Sequence, residues 1–109
     1  MHTFQAARRN VRRHGVSARV HLVQGRWAQM IGGAVDGLIA NPPYVPSGEV
    51  DRLPVDVRRE PRLSLDGGPD GLRDLFDILE DAPRVLRAGG VVVMECAEDQ
   101  AARVAAEAA

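Results

Sequence analysis

The stretch that decides the fold is Val35-Asp36-Gly37-Leu38-Ile39-Ala40-Asn41-Pro42-Pro43-Tyr44. Its first six residues form a short, largely apolar run and read as a strand. The two prolines then end that strand, because neither can donate to a ladder or enter a helix interior. The chain therefore leaves a sheet at Asn41. Downstream, Gly89-Gly90 reads as a tight turn into Val91-Val92-Val93-Met94, a continuous apolar run suited to a strand buried on both faces. Between these strands, Leu72, Leu75, Phe76, Leu79, Ala82 and Leu86 recur at helical spacing. Asp70 is the expected N-cap of that helix, and Asp74 complements the dipole in its first turn. Pro83 is expected to kink or break it near its end. Upstream, Thr3 to Arg13 reads as a helix capped by Thr3 and closed by Gly15 in the left-handed C′ position. Arg19 to Gln24 alternates apolar and polar residues and reads as another strand. Gln100 to Ala109 reads as an Ala-rich helix. The order is helix, strand, strand, loop, helix, strand, helix, which predicts an α/β fold with a mostly parallel sheet. Ligands of such sheets bind beyond the carboxyl ends of strands, and Asn41 to Tyr44 occupy such an end.

Composition narrows the possibilities. A chain of 109 residues holds one domain at most, and an apolar fraction of 45% argues against disorder. No apolar run approaches the roughly 20 residues of a membrane span, and the N-terminus has no apolar core of a secretory signal. A cytoplasmic location without membrane attachment is expected. The single cysteine, Cys96, excludes an internal disulfide and a multi-cysteine zinc site. His2, His14 and His21 show no ligand spacing, so no metal is expected. Charge is uneven: residues 1–26 hold six Arg and no acid, whereas residues 27–109 hold eight Arg and fifteen acids. A basic segment can hold phosphates, but no aromatic lies between these arginines for base stacking. A solvated helix face is the preferred reading, and nucleic acid is not expected as a partner. Residues 41–71 contain six of the seven prolines, and irregular stretches of that length are usually functional or disordered.

Asn41-Pro42-Pro43-Tyr44 offers specific chemistry. The two prolines fix the backbone, remove two N–H donors and leave two carbonyl acceptors. Asn41 adds a side-chain carbonyl, and Tyr44 adds a flat apolar face with a hydroxyl. Such a site suits a planar amino group, whose N–H bonds it accepts while the attached plane packs on the ring. The nitrogen is then aimed at an electrophile, and fixing that geometry supplies most of the rate. A proline-rich turn that merely ends a strand is the alternative.

These residues resemble the S-adenosylmethionine-dependent amino-methyltransferases, and most of all the release factor glutamine N5-methyltransferases, the HemK-like family. The resemblance runs through Asn41-Pro42-Pro43-Tyr44-Val45-Pro46, Glu60-Pro61-Arg62-Leu63 and Leu65-Asp66-Gly67-Gly68-Pro69-Asp70-Gly71-Leu72. It continues in Ala82-Pro83-Arg84, Gly89-Gly90, Glu95 and Asp99-Gln100, and Asn10 of the first helix matches as well. It implies a partial Rossmann-like class I methyltransferase fold, with residues 1–109 as part of the catalytic domain. The strands would be the third, fourth and fifth of the family's sheet. The cofactor-loop strand and the C-terminal hairpin would be missing, so the chain is expected to be truncated at both ends.

The resemblance further implies methyl transfer to the side-chain amide of a glutamine in a Gly-Gly-Gln motif of a peptide chain release factor. Asn41 and the Pro42 carbonyl would hold the amide, Pro43 would set the wall, and Tyr44 would pack on the glutamine. S-adenosylmethionine would be the cofactor, bordered by Arg26, Trp27 and Asn41. The family has Gly-Asp-Trp where this chain has Gly25-Arg26-Trp27, and Arg26 cannot accept a hydrogen bond from adenine. With strands one and two absent, the Arg19–Gln24 strand would lack a neighbour. The isolated chain is therefore expected to bind cofactor weakly or not at all, and to be inactive alone. Alternatives are an amino-methyltransferase acting on adenine or guanine of a nucleic acid, and a non-enzymatic RNA-binding remnant. Glu60 and the Asp66-Gly67-Gly68 loop receive no chemical role.

Overall fold

The structure, a computed structural model, describes residues 2–109. Residues up to Met30 form one compact unit and Ile31–Ala109 another.

The first unit is built on α1 (His2–Arg13). The helix starts one residue before the expected position, so Thr3 lies inside it and does not cap it. Its last turn carries Arg12 and Arg13, which suit the negative end of the dipole. Gly15 closes it with φ +64°, and a pair of backbone bonds completes the closure. The Val16 amide donates to the Val11 carbonyl at 3.1 Å, and the Gly15 amide to the Arg12 carbonyl at 3.1 Å. That is a Schellman motif with glycine at C′, as the sequence predicts.

The strand expected over Arg19–Gln24 does not form. The Val16 carbonyl takes the amides of both Arg19 and Val20 at 2.9 Å, which winds the first residues into a turn. Val23 is left 57% exposed. Alternation makes a strand only where a neighbour supplies both a ladder and a face to pack on. The apolar side chains meet α1 differently, with Phe4, Val11, Val20 and Leu22 bordering a groove of about 410 Å³.

The second unit contains β1 (Val35–Ala40), the short helix α2 (Val55–Arg58), α3 (Arg73–Val85), β2 (Leu86–Met94) and α4 (Ala101–Ala108). Among the described residues the sheet is β1 beside β2, parallel as expected. Leu38 pairs with Val92 and Ala40 with Met94, so these four share a face. The core lies where α3 turns Leu75, Ile78, Ala82 and Val85 inward, and Leu75 and Val85 are fully buried. The other sheet face leaves Ile39, Val91 and Val93 exposed. The Val91–Met94 run is thus covered on one face, not on both as its composition suggests.

Two further expectations shift. Gly89-Gly90 does not form a turn ahead of the strand but lies inside β2, which begins at Leu86. The pairing jumps from Val35↔Leu86 to Gly37↔Val91, so β2 bulges by three residues there. Gly89 takes φ +78°, which a bulge of this kind requires and glycine adopts freely. Asp70 does not cap α3, which starts at Arg73. Its Oδ1 instead accepts the Leu72 amide at 3.1 Å, closing the turn that leads into the helix. Pro83 sits within α3, and the helix ends two residues later at Val85.

Candidate functional site

The site is assembled at the carboxyl ends of β1 and β2. Past the ladder, the Glu95 amide donates to the Ala40 carbonyl at 3.1 Å, which extends the pairing by one step. This sets Glu95 beside the segment that starts at Asn41. The Tyr44 hydroxyl then donates to Glu95 Oε1 at 3.1 Å. Partial burial raises the Tyr44 pKa above its ordinary 10.0, and the Glu95 carboxylate raises it further as hydrogen-bond acceptor and negative charge. Tyr44 is therefore a neutral phenol at physiological pH. Asn41, Pro42, Tyr44 and Glu95 border one cavity of about 580 Å³, whose lining also includes Leu53, Val57 and Glu60. Pro42 is fully buried and Asn41 exposed, so the pair joins the sheet end to the cavity mouth.

The backbone of Pro43 and Tyr44 is clamped from behind. A Cβ at Gly67 would stand 2.7 Å from the Pro43 carbonyl oxygen and 2.9 Å from Tyr44 Cα. A Cβ at Gly71 would collide with the Tyr44 carbonyl oxygen, and Gly71 also takes φ +78°. Both positions therefore need glycine. The Pro43 carbonyl lies against this loop. Gln100, buried at the start of α4, completes the clamp. Its Nε2 donates to the Tyr44 carbonyl at 2.9 Å, and its Oε1 accepts the Ala97 amide at 3.0 Å.

One carboxylate organises the long loop. Asp66 Oδ1 accepts from Ser47 Oγ at 2.6 Å and from the Gly68 amide at 2.9 Å. Its Oδ2 accepts from Arg62 Nε at 3.2 Å. Arg62 also donates to Asp51 at 3.2 Å and to the Ser47 carbonyl at 3.1 Å. These hydrogen bonds, led by that from Ser47, hold the Asp66 pKa below 3.8. The backbone follows: the Val45 amide donates to Leu65 and the Gly67 amide to Val45, each at 2.9 Å. The segment Leu65–Leu72 and the residue Arg62 are thus the frame behind Asn41–Tyr44. The sequence offered no role for this loop because its partners lie far off along the chain.

Asn41, Pro42 and Tyr44 meet at the cavity, whereas Pro43 does not line it and lies against the glycine loop. Arg26 and Trp27 belong to the first unit. Trp27 has φ +50°, and its Nε1 is buried without a hydrogen-bond partner. Arg26 is exposed on its unit. Glu95 and Gln100, which in the sequence carry only the family resemblance, each touch Tyr44. Among the described residues no cluster of His, Cys, Asp and Glu has the makings of a metal site. No helix there is long and apolar enough to cross a membrane.

No family model matches the chain. Curated proteins do. The chain is 48% identical over 95 residues to a release factor glutamine methyltransferase of Moorella thermoacetica, covering 86% of this chain and 34% of that protein. A protein of the same name from Gloeobacter violaceus is 43% identical over 88 residues, 79% of this chain and 31% of its own. A ribosomal protein uL3 glutamine methyltransferase of Bordetella pertussis is 38% identical over 98 residues, 89% of this chain and 33% of its own. The chain spans about a third of the length of the curated relatives it matches.

Proposed function

Because this chain is homologous over most of its length to a segment of the release factor glutamine methyltransferases, we propose that residues 1–109 form part of such a catalytic domain. The proposed reaction is methyl transfer from S-adenosylmethionine to the side-chain amide nitrogen of a glutamine. The proposed substrate is a peptide chain release factor, at its Gly-Gly-Gln motif. The relative named for ribosomal protein uL3 favours a second protein substrate of the same chemistry.

The observation that carries this reading is the braced segment itself. Asn41 and Pro42 border the cavity with the Tyr44 ring beside them, and the backbone behind is held by Gly67, Gly71 and Gln100. Asn41 Oδ1 and the Pro42 carbonyl are acceptors, and a primary amide brings two N–H donors. Tyr44 offers a plane for the amide and its methylenes. An amide nitrogen is a poor nucleophile, so the residues contribute by alignment, which is worth up to roughly 7–11 kcal/mol in well-oriented reactions. No base need act before attack, because the amide proton can leave during or after transfer.

S-adenosylmethionine supplies the electrophilic methyl group when bound. Of the residues expected to border it, Asn41 can both donate and accept, whereas the Arg26 guanidinium and the Trp27 indole N–H only donate. Asn41 therefore fits an adenine or amino-acid contact, and Arg26 does not fit the adenine amino group.

The test is a methyl-acceptor assay with the gene product carrying these residues. Release factor, ribosomal protein and ribosomal RNA are offered in parallel. Transfer to a glutamine of a protein is expected, with a loss of about 100-fold or more in Asn41→Ala. Transfer to a base amine of the RNA overturns the reading.

A further inference from the structure

The mouth of the cavity carries an asymmetry of donors and acceptors that bears on what it can tell apart. A phenol has one proton to donate and lone pairs to accept with. The Tyr44 proton is committed to Glu95 Oε1 at 3.1 Å, on a backbone that the Glu95–Ala40 and Gln100–Tyr44 bonds both fix. What Tyr44 then shows a ligand is acceptor. Glu95 adds a carboxylate on the same cavity wall, the Pro42 carbonyl another acceptor, and Glu60 a second negative group. The surroundings favour a ligand that brings N–H donors and disfavour one that brings negative charge.

We propose that Glu95 is a specificity-determining residue that makes this site accept a glutamine amide and reject a glutamate carboxylate. It acts as a positioning residue through Tyr44, by taking the hydroxyl proton, and directly through its charge at the cavity wall. Glutamine and glutamate side chains have nearly the same shape. Shape alone cannot separate them, whereas a site built of acceptors leaves a carboxylate with unpaired oxygens and a like charge. This inference rests on the glutamine reading of the site and adds the residue that enforces it.

Two measurements on the full 109-residue chain test it together. Tyr44 is the only tyrosine, so tyrosinate absorbance reports this side chain alone. In Glu95→Gln the titration is expected to move down toward 10.0, stopping short of it because burial remains. The conservative Glu95→Asp is expected to keep part of the original displacement. The second measurement is binding of capped Gly-Gly-Gln and Gly-Gly-Glu tripeptides, followed by the Tyr44 ring resonances. The chain is expected to favour the glutamine peptide by about tenfold or more, and Glu95→Gln to reduce that preference to about threefold or less. With peptide binding followed by calorimetry, Glu95→Gln in a Tyr44→Phe background is expected to change the preference less than it does alone.

An unchanged preference in Glu95→Gln, with both peptides still bound, overturns this inference and leaves the glutamine reading intact. A tyrosinate titration that ignores Glu95→Gln overturns the Tyr44 arm of it. Binding of neither peptide by any variant overturns the glutamine reading and this inference with it.

Discussion

Two irregular stretches of this chain behave in opposite ways. Residues 14–30 and residues 41–71 both contain glycine breaks and little regular structure. The second is rich in proline and looks the less orderly in sequence. Yet it is the one held by a dense frame, with Asp66 gathering Ser47, Arg62 and the Gly68 amide, and Gln100 gathering Tyr44 and Ala97. The first carries the cleaner strand pattern and makes no strand. Order in a loop comes from paired polar groups and close backbone fit, and apolar alternation without a ladder partner does not replace them.

Substitutions separate the two stretches. The largest effect is expected for Gly71→Ala, which drives a Cβ into the Tyr44 carbonyl at a positive φ. A loss of about 4 kcal/mol is expected, read as a fall in the urea midpoint. Gln100→Ala comes next. It strips the Tyr44 carbonyl and the Ala97 amide of their partner in a buried place. About 2 kcal/mol is expected, read in the same urea series.

Gly15→Ala is the control from the first unit. That glycine also has a positive φ, but an added Cβ would meet nothing within 4 Å. Only the conformational cost remains, about 1 kcal/mol. The contrast with Gly71 separates backbone strain from steric collision.

Acid acts on the framed stretch through Asp66. The folded pKa of Asp66 is depressed below 3.8, so between those values the unfolded chain binds more protons. Its stabilising effect is complete above about 3.8 and is lost as pH falls through the folded value. Acid unfolding monitored by circular dichroism should therefore be less steep in Asp66→Asn than in the parent chain. Smallest of all is Val23→Thr, at an exposed position with no ladder. A change within about 0.5 kcal/mol is expected in the same denaturation series.

How much was legible follows from which contacts are local. The β1 strand, its termination at Asn41-Pro42 and the Gly15 closure depend on residues within a turn of one another, and each was readable. The place of the site at a strand end was readable for the same reason. The Arg19–Gln24 pattern misleads because it says nothing about whether a neighbour exists. Gly89-Gly90 is ambiguous in sequence because a bulge and a turn make the same demand on glycine. The frame of the site was silent for another reason. Gln100 holds a carbonyl 56 residues away, and Tyr44 reaches a carboxylate 51 residues away. Pairs at that separation leave no periodicity to read.

On the proposed reading, the braced segment from Asn41 to Tyr44 takes a glutamine amide in the chain as it stands. Nuclear magnetic resonance of the single tyrosine and single tryptophan tests it directly, with capped Gly-Gly-Gln added to the purified chain. Saturable shifts of the Tyr44 ring that vanish in Asn41→Ala, with the Trp27 indole unmoved, are expected. Tyr44 signals that ignore the peptide, or that respond equally in Asn41→Ala, would contradict it.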